Sequence, residues 1–75
     1  MEEEPLAVRL GRLIRRLRLE AGMSQEEFAE QCGLHRTYIG FIERGEKTIT
    51  IETANKLAQA LGLTLAQLFK ELESC

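Results

Sequence analysis

The 75-residue sequence has no aspartate and no tryptophan, one proline (Pro5), one histidine (His35) and two cysteines, Cys32 and Cys75. Each scarcity removes a class of function. One histidine, no aspartate and no spaced cysteine pair leave no plausible set of metal ligands, and no cofactor is expected. No nucleophile stands beside a base and no glycine-rich loop would cradle phosphate, so the chain does not read as an enzyme. One cysteine lies inside a helical pattern and the other is the last residue, which suits free thiols in the cytoplasm better than a disulfide scaffold. No apolar run approaches the roughly 20 residues of a membrane span, so no membrane partner is expected. The start, Met1-Glu2-Glu3-Glu4-Pro5, lacks the apolar segment of a secretory signal. No repeat or linker divides residues 1–75, which read as one small domain.

What is abundant is leucine and glutamate, a composition that favours helices over strands. Gly22, Gly33, Gly45 and Gly62 each follow a helical pattern, where glycine supplies the left-handed residue that ends a helix. Four stops predict five helices and an all-α fold. The first spans about 5–21, with Leu6, Leu10, Leu13, Leu17 and Ala21 on one face. The second starts at Ser24, where Ser24-Gln25-Glu26-Glu27 fits a capping box. The third spans about 35–44. The fourth follows Lys47-Thr48-Ile49-Thr50, with Thr50 as N-cap, and presents Ile51, Ala54, Leu57, Ala58 and Leu61. The fifth is expected to be short; Thr64-Leu65-Ala66-Gln67 fits a second capping box, and Leu65, Leu68, Phe69 and Leu72 form its stripe.

Helices two and three are joined by a very short turn. Counting from Gln25, Ala29 is fifth, Gly33 ninth, Ile39 fifteenth and Ile42 eighteenth. A small fifth residue lets two helices cross closely, a glycine at the ninth turns the chain, and the two isoleucines anchor the second helix in the core. That is the pattern of a helix-turn-helix over about 24–44. On a wheel of about 100° per residue with Arg36 at zero, Gly40, Arg44, Thr37 and Phe41 fall between about 40° and 140°. Ile42 and Ile39 fall near 240° and 300°, on the other side. Arg36 can bond guanine bidentately, Thr37 can bond a base or meet a thymine methyl, and Gly40 lets the helix approach DNA closely. Ser24 and Gln25, at the start of helix two, and Arg44, Lys47, Thr48 and Thr50 beyond helix three are candidates for phosphate contact.

The stretch Met23-Ser24-Gln25-Glu26-Glu27-Phe28-Ala29 through Ile42-Glu43-Arg44-Gly45 resembles the Cro/phage-repressor (XRE) family of helix-turn-helix regulators. Within it, His35-Arg36-Thr37-Tyr38-Ile39 followed by Ile42-Glu43-Arg44-Gly45 is similar to the controller proteins of restriction–modification systems. The resemblance implies a lambda-repressor-like fold of five helices and a homodimer on palindromic double-stranded DNA. It implies base contacts from Arg36, Thr37 and Tyr38, and a salt bridge between Arg18 and Glu43. Tyr38 could equally be a packed ring with an exposed hydroxyl. Gly40 and Phe41 stand where a small polar pair is expected; Phe41 either packs on thymine methyls or turns inward.

The net charge of −2 runs against nucleic-acid binding. The charges are segregated, however: Arg9, Arg12, Arg15, Arg16 and Arg18 crowd the first helix. These arginines read by default as a solvated face, and some could reach phosphates. An acidic group of Glu26, Glu27 and Glu30 could touch RNA polymerase. Helices four and five (51–73) are expected to supply the dimer interface through Leu65, Leu68, Phe69 and Leu72. The competing reading is an antitoxin-like module that binds a protein partner and DNA only secondarily.

Overall fold

The structure, a computed structural model, describes residues 4–74; Cys75 and the glutamates at positions 2 and 3 lie outside the described residues. Five helices follow one another: α1 (Leu6–Glu20), α2 (Gln25–Cys32), α3 (Arg36–Glu43), α4 (Ile51–Ala60) and α5 (Leu65–Ser74). No strand occurs among the described residues. The four glycines expected to stop helices all have φ between 72° and 75°, a region costly to a residue with a β-carbon.

The starts are equally local. Ser24 Oγ accepts from the Glu27 N–H at 3.0 Å, and the Glu27 carboxylate accepts from the Ser24 N–H at 2.9 Å. Thr64 and Gln67 make the same reciprocal pair ahead of α5. Thr50 caps α4 by accepting from the Thr53 N–H. At α3 the cap is His35, whose Nδ1 accepts from the Thr37 N–H at 3.1 Å.

All five helices feed one core. Leu13 and Ile14 of α1 meet Phe28, Ala29 and Cys32 of α2, Ile39 and Ile42 of α3, Leu57 and Ala58 of α4, and Leu68 and Leu72 of α5. α3 packs between α1 and α2, while α4 and α5 close the other side against α2 and α1. Gly11 allows the approach of α1 to α3: a β-carbon there would overlap the Ile42 carbonyl oxygen and stand 2.8 Å from that of Glu43.

The structure departs from the periodicity at several places. Leu6 and Ile51, expected on core faces, are 60% and 64% exposed. Both lie in the first turn of their helices, beyond the reach of the helix packed against that face. Leu68 and Leu72, expected at a dimer interface, are 0% and 6% exposed and belong to the chain's own core. Helix five is not short: it has ten residues, as many as α4. Ala21, placed on the core stripe of α1, is its exposed C-cap.

Candidate nucleic-acid interface

α2 and α3 are joined by Gly33, Leu34 and His35. The Gly33 N–H bonds back to Glu30, and the Leu34 N–H to Ala29, closing α2 tightly. Ala29 is 2% exposed beneath this corner, and Ile39 and Ile42 are at 0% and 1%. With these anchors inward, α3 turns Arg36, Thr37 and Arg44 to solvent.

A buried ion pair fixes the angle of α3. Arg18 Nε donates to one Glu43 oxygen at 2.6 Å and Nη2 to the other at 3.0 Å, with side chains 8% and 3% exposed. Arg18 Nη1 also donates to the Met23 carbonyl, and the Gln25 side-chain amide donates to Glu43. One carboxylate therefore ties α1, the start of α2 and the end of α3 together. No buried side-chain polar atom among the described residues is left without a partner. Such a cluster adds little net stability over an apolar core, but it defines one orientation because breaking it strands a buried charge.

A family model described as helix-turn-helix matches residues 14–68, from the second half of α1 to the first turn of α5. The chain is a helix-turn-helix transcription regulator of the XRE type. Control protein C.MunI of a Mycoplasma species is 38% identical over 69 residues, covering 91% of this chain and 93% of that protein. The restriction–modification controller C.Esp1396I, solved as a tetramer in complex with its natural 35 base-pair operator, has a TM-score of 0.87 at 33% identity, covering 96% of this chain and 95% of that one. The clp gene regulator ClgR of Corynebacterium glutamicum has a TM-score of 0.90 at 29% identity, covering 97% of this chain and 78% of that one. This helix-turn-helix regulator is therefore homologous to controller proteins and is not an enzyme.

On the regulator's α3, Arg36 and Thr37 are exposed in the first turn, and Arg36 lies 3.9 Å from the Glu26 carboxylate of α2. Tyr38 is half-buried and packs against the core. Phe41 does not join the core; the Arg44 guanidinium lies 5.3 Å and the Lys47 ammonium 5.7 Å from its ring centre. Gly40 is buried rather than open. A terminal nitrogen of Arg44 lies 3.0 Å from where its β-carbon would be.

The candidate phosphate ligands separate into engaged and open groups. The hydroxyl and N–H of Ser24 are engaged in the capping box, and the Gln25 side chain is bound to Glu43. What remains there is the Gln25 backbone N–H, at the first position of α2. Thr50 is engaged with Thr53 through its hydroxyl. Lys47 and Thr48 are exposed. Arg44 donates from Nε to Glu46 at 2.8 Å, and that contact raises its already high pKa further.

The arginines of α1 largely face elsewhere. Arg9 donates to the Leu72 carbonyl near the end of α5, Arg16 pairs with Glu71 and Glu20, and Arg12 with Glu4. They fasten α1 to α5 and to the chain start. Cys32 is buried in the core, and desolvation pushes its thiol up to about 11. Among the described residues no group of acidic, histidine or cysteine side chains could hold a metal ion. No helix there is long and apolar enough to cross a membrane.

Proposed function

We propose that this regulator acts as a homodimer that recognises a palindromic operator through α3, in the manner of a restriction–modification controller. The observation that carries the reading is the two-sidedness of α3. Ile39 and Ile42 are buried while Arg36 and Thr37 are exposed, and the Arg18–Glu43 pair holds that orientation. Arg36 sits in the first turn, the part of a recognition helix that enters the major groove, where a guanidinium can bond guanine O6 and N7. Thr37 reads beside it, with the Tyr38 edge at the margin. Lys47, Thr48 and the Gln25 N–H set the duplex by phosphate contact, and Thr50 and Ser24 position those segments.

Two copies suit the surface as well as the operator. Leu6, Ile51, Phe69 and Leu72 line a mostly apolar groove of about 280 Å³ bounded by α1, α4, α5 and the 47–50 loop, whose Lys47 and Thr48 form its polar edge. With half-buried Leu65, Leu6, Ile51 and Phe69 form the contact surface in place of fully buried Leu68. Linked half-sites bind far better than separate ones, so protein concentration itself becomes the signal. Glu26, Glu27 and Glu30, all exposed on α2, form the acidic group proposed for a polymerase contact.

The test is selection of bound duplexes from a random DNA pool at near-physiological salt. A palindrome with guanine in each half-site, its halves about one helical turn or 34 Å apart, is expected. No enrichment from folded, dimeric protein would shift the function to protein interaction. On the selected operator, Arg36→Ala should cost about 1–3 kcal/mol and relax preference at one base position; wild-type affinity and preference in that variant would remove Arg36 as a reader.

A further inference from the structure

Arg44 has two directions open to it. It is the C-cap of α3. From there its side chain can run outward beside Lys47 and Thr48, where a phosphate would be met. It can also fold back across the helix over Gly40. It folds back here, held by two contacts: the Glu46 carboxylate on Nε at 2.8 Å and the Phe41 ring, whose centre lies 5.3 Å from the guanidinium carbon; a terminal nitrogen then stands 3.0 Å from where a Gly40 β-carbon would be. A β-carbon at residue 40 would crowd that nitrogen. Glu46 follows the sharp turn at Gly45, where φ is 72°, and that turn brings its carboxylate back to Arg44.

We infer that Glu46 is a specificity-determining residue that acts through Arg44, pinning the guanidinium over Gly40 on the reading face and withholding it from DNA phosphates. The inference rests on the DNA-binding reading given above. Phosphate contacts are made on duplexes of any sequence, so a cation free to reach them strengthens wrong and right sites alike. An arginine already paired with a carboxylate and laid on a ring gains less by moving to a phosphate. The guanidinium so held stays on the α3 face that carries Arg36, about two turns farther along the helix. The acidic net charge and the exposed position of Glu46 then favour discrimination over raw affinity.

Equilibrium binding of the full chain tests this with wild type, Glu46→Gln, Arg44→Ala and the double variant. Each is titrated on the selected operator and on an unrelated duplex of equal length over a range of salt. Both side chains are exposed, so the variants should fold. Glu46→Gln is expected to tighten binding to the unrelated duplex about two- to fivefold, the range of an exposed ion pair. Its salt dependence there should steepen by about one unit of log–log slope as one more phosphate is contacted. Operator affinity should rise less, so the ratio of the two falls. In the Arg44→Ala background, Glu46→Gln should leave that ratio unchanged. Equal strengthening of both duplexes would reduce Glu46 to a general negative charge and overturn the inference. So would a loss of discrimination that persists without Arg44. A wild-type protein with no preferred duplex at all would instead overturn the underlying DNA-binding reading.

Discussion

A methyl group on Gly40 would act in two opposite ways. In the middle of α3 it would raise helix propensity by about 1 kcal/mol. It would also stand 3.0 Å from a terminal nitrogen of Arg44, and the far end of that long side chain is what would yield. Gly40→Ala is therefore expected to raise the melting temperature and lower discrimination between operator and unrelated DNA, read by thermal unfolding and by the two-duplex titration. A lower melting temperature would mean that Arg44 cannot move aside. Gly11 presents the reverse case. Its missing β-carbon faces the Ile42 and Glu43 carbonyls, and backbone does not yield as a side chain does. Gly11→Ala should cost about 3 kcal/mol of stability by urea unfolding, the upper part of the overpacking range. A variant as stable as wild type would show that α1 and α3 can separate freely. Neither environment was legible in the sequence. A wheel places Gly40 on the exposed face, but it does not show that Arg44 returns to cover it. A glycine inside an amphipathic helix signals a close approach, without naming the partner. The Arg18–Glu43 pair came from family resemblance; spacing alone would not have joined residues on different helices.

At the scale of the helix, local rules carried further. The four helix-ending glycines, the capping boxes at Ser24 and Thr64 and the Thr50 cap all depend on neighbours within a few residues, and all appear as expected. His35 was missed as a cap because its ring nitrogen replaces the usual short oxygen side chain. Bonds from Ser24 to the Glu27 carboxylate hold it below the ordinary value of 4.5. A depressed carboxylate contributes stability that is present above its unfolded pKa and lost as pH falls through the lower folded value. Glu27→Gln keeps an acceptor for the Ser24 N–H but removes the titration. Wild type should thus exceed this variant in stability at neutral pH, and the gap should close as pH drops below 4.5. Denaturant melts of both proteins across that acid range would show it; a gap independent of pH would mean that the cap does not depend on the carboxylate charge.

For the whole molecule, the periodicity identified which faces are apolar but not which of those faces the chain covers by itself. The α5 stripe reads first as core and only in part as an interface, and α1 and α4 pack over Leu68 and Leu72 and bury them. Leu6 and Ile51 looked buried, yet both are mostly exposed in the first turns of their helices. That exchange changes how the dimer should be tested. Deleting α5 would remove core residues and unfold the protomer, so it would reveal nothing about association. Ile51→Glu alters a side chain that is 64% exposed, and the single chain should retain its fold. If a second copy covers the groove between α1, α4 and α5, the new carboxylate would have to leave water for a mostly apolar contact on association. The variant should therefore sediment as a monomer at concentrations where wild type is a dimer, with unchanged helix content. Its operator binding should fall at least tenfold, because each recognition helix would then bind its half-site alone. A variant that remains dimeric and binds normally would place the interface on another face and leave Leu6 and Ile51 as isolated apolar residues, which many protein surfaces carry.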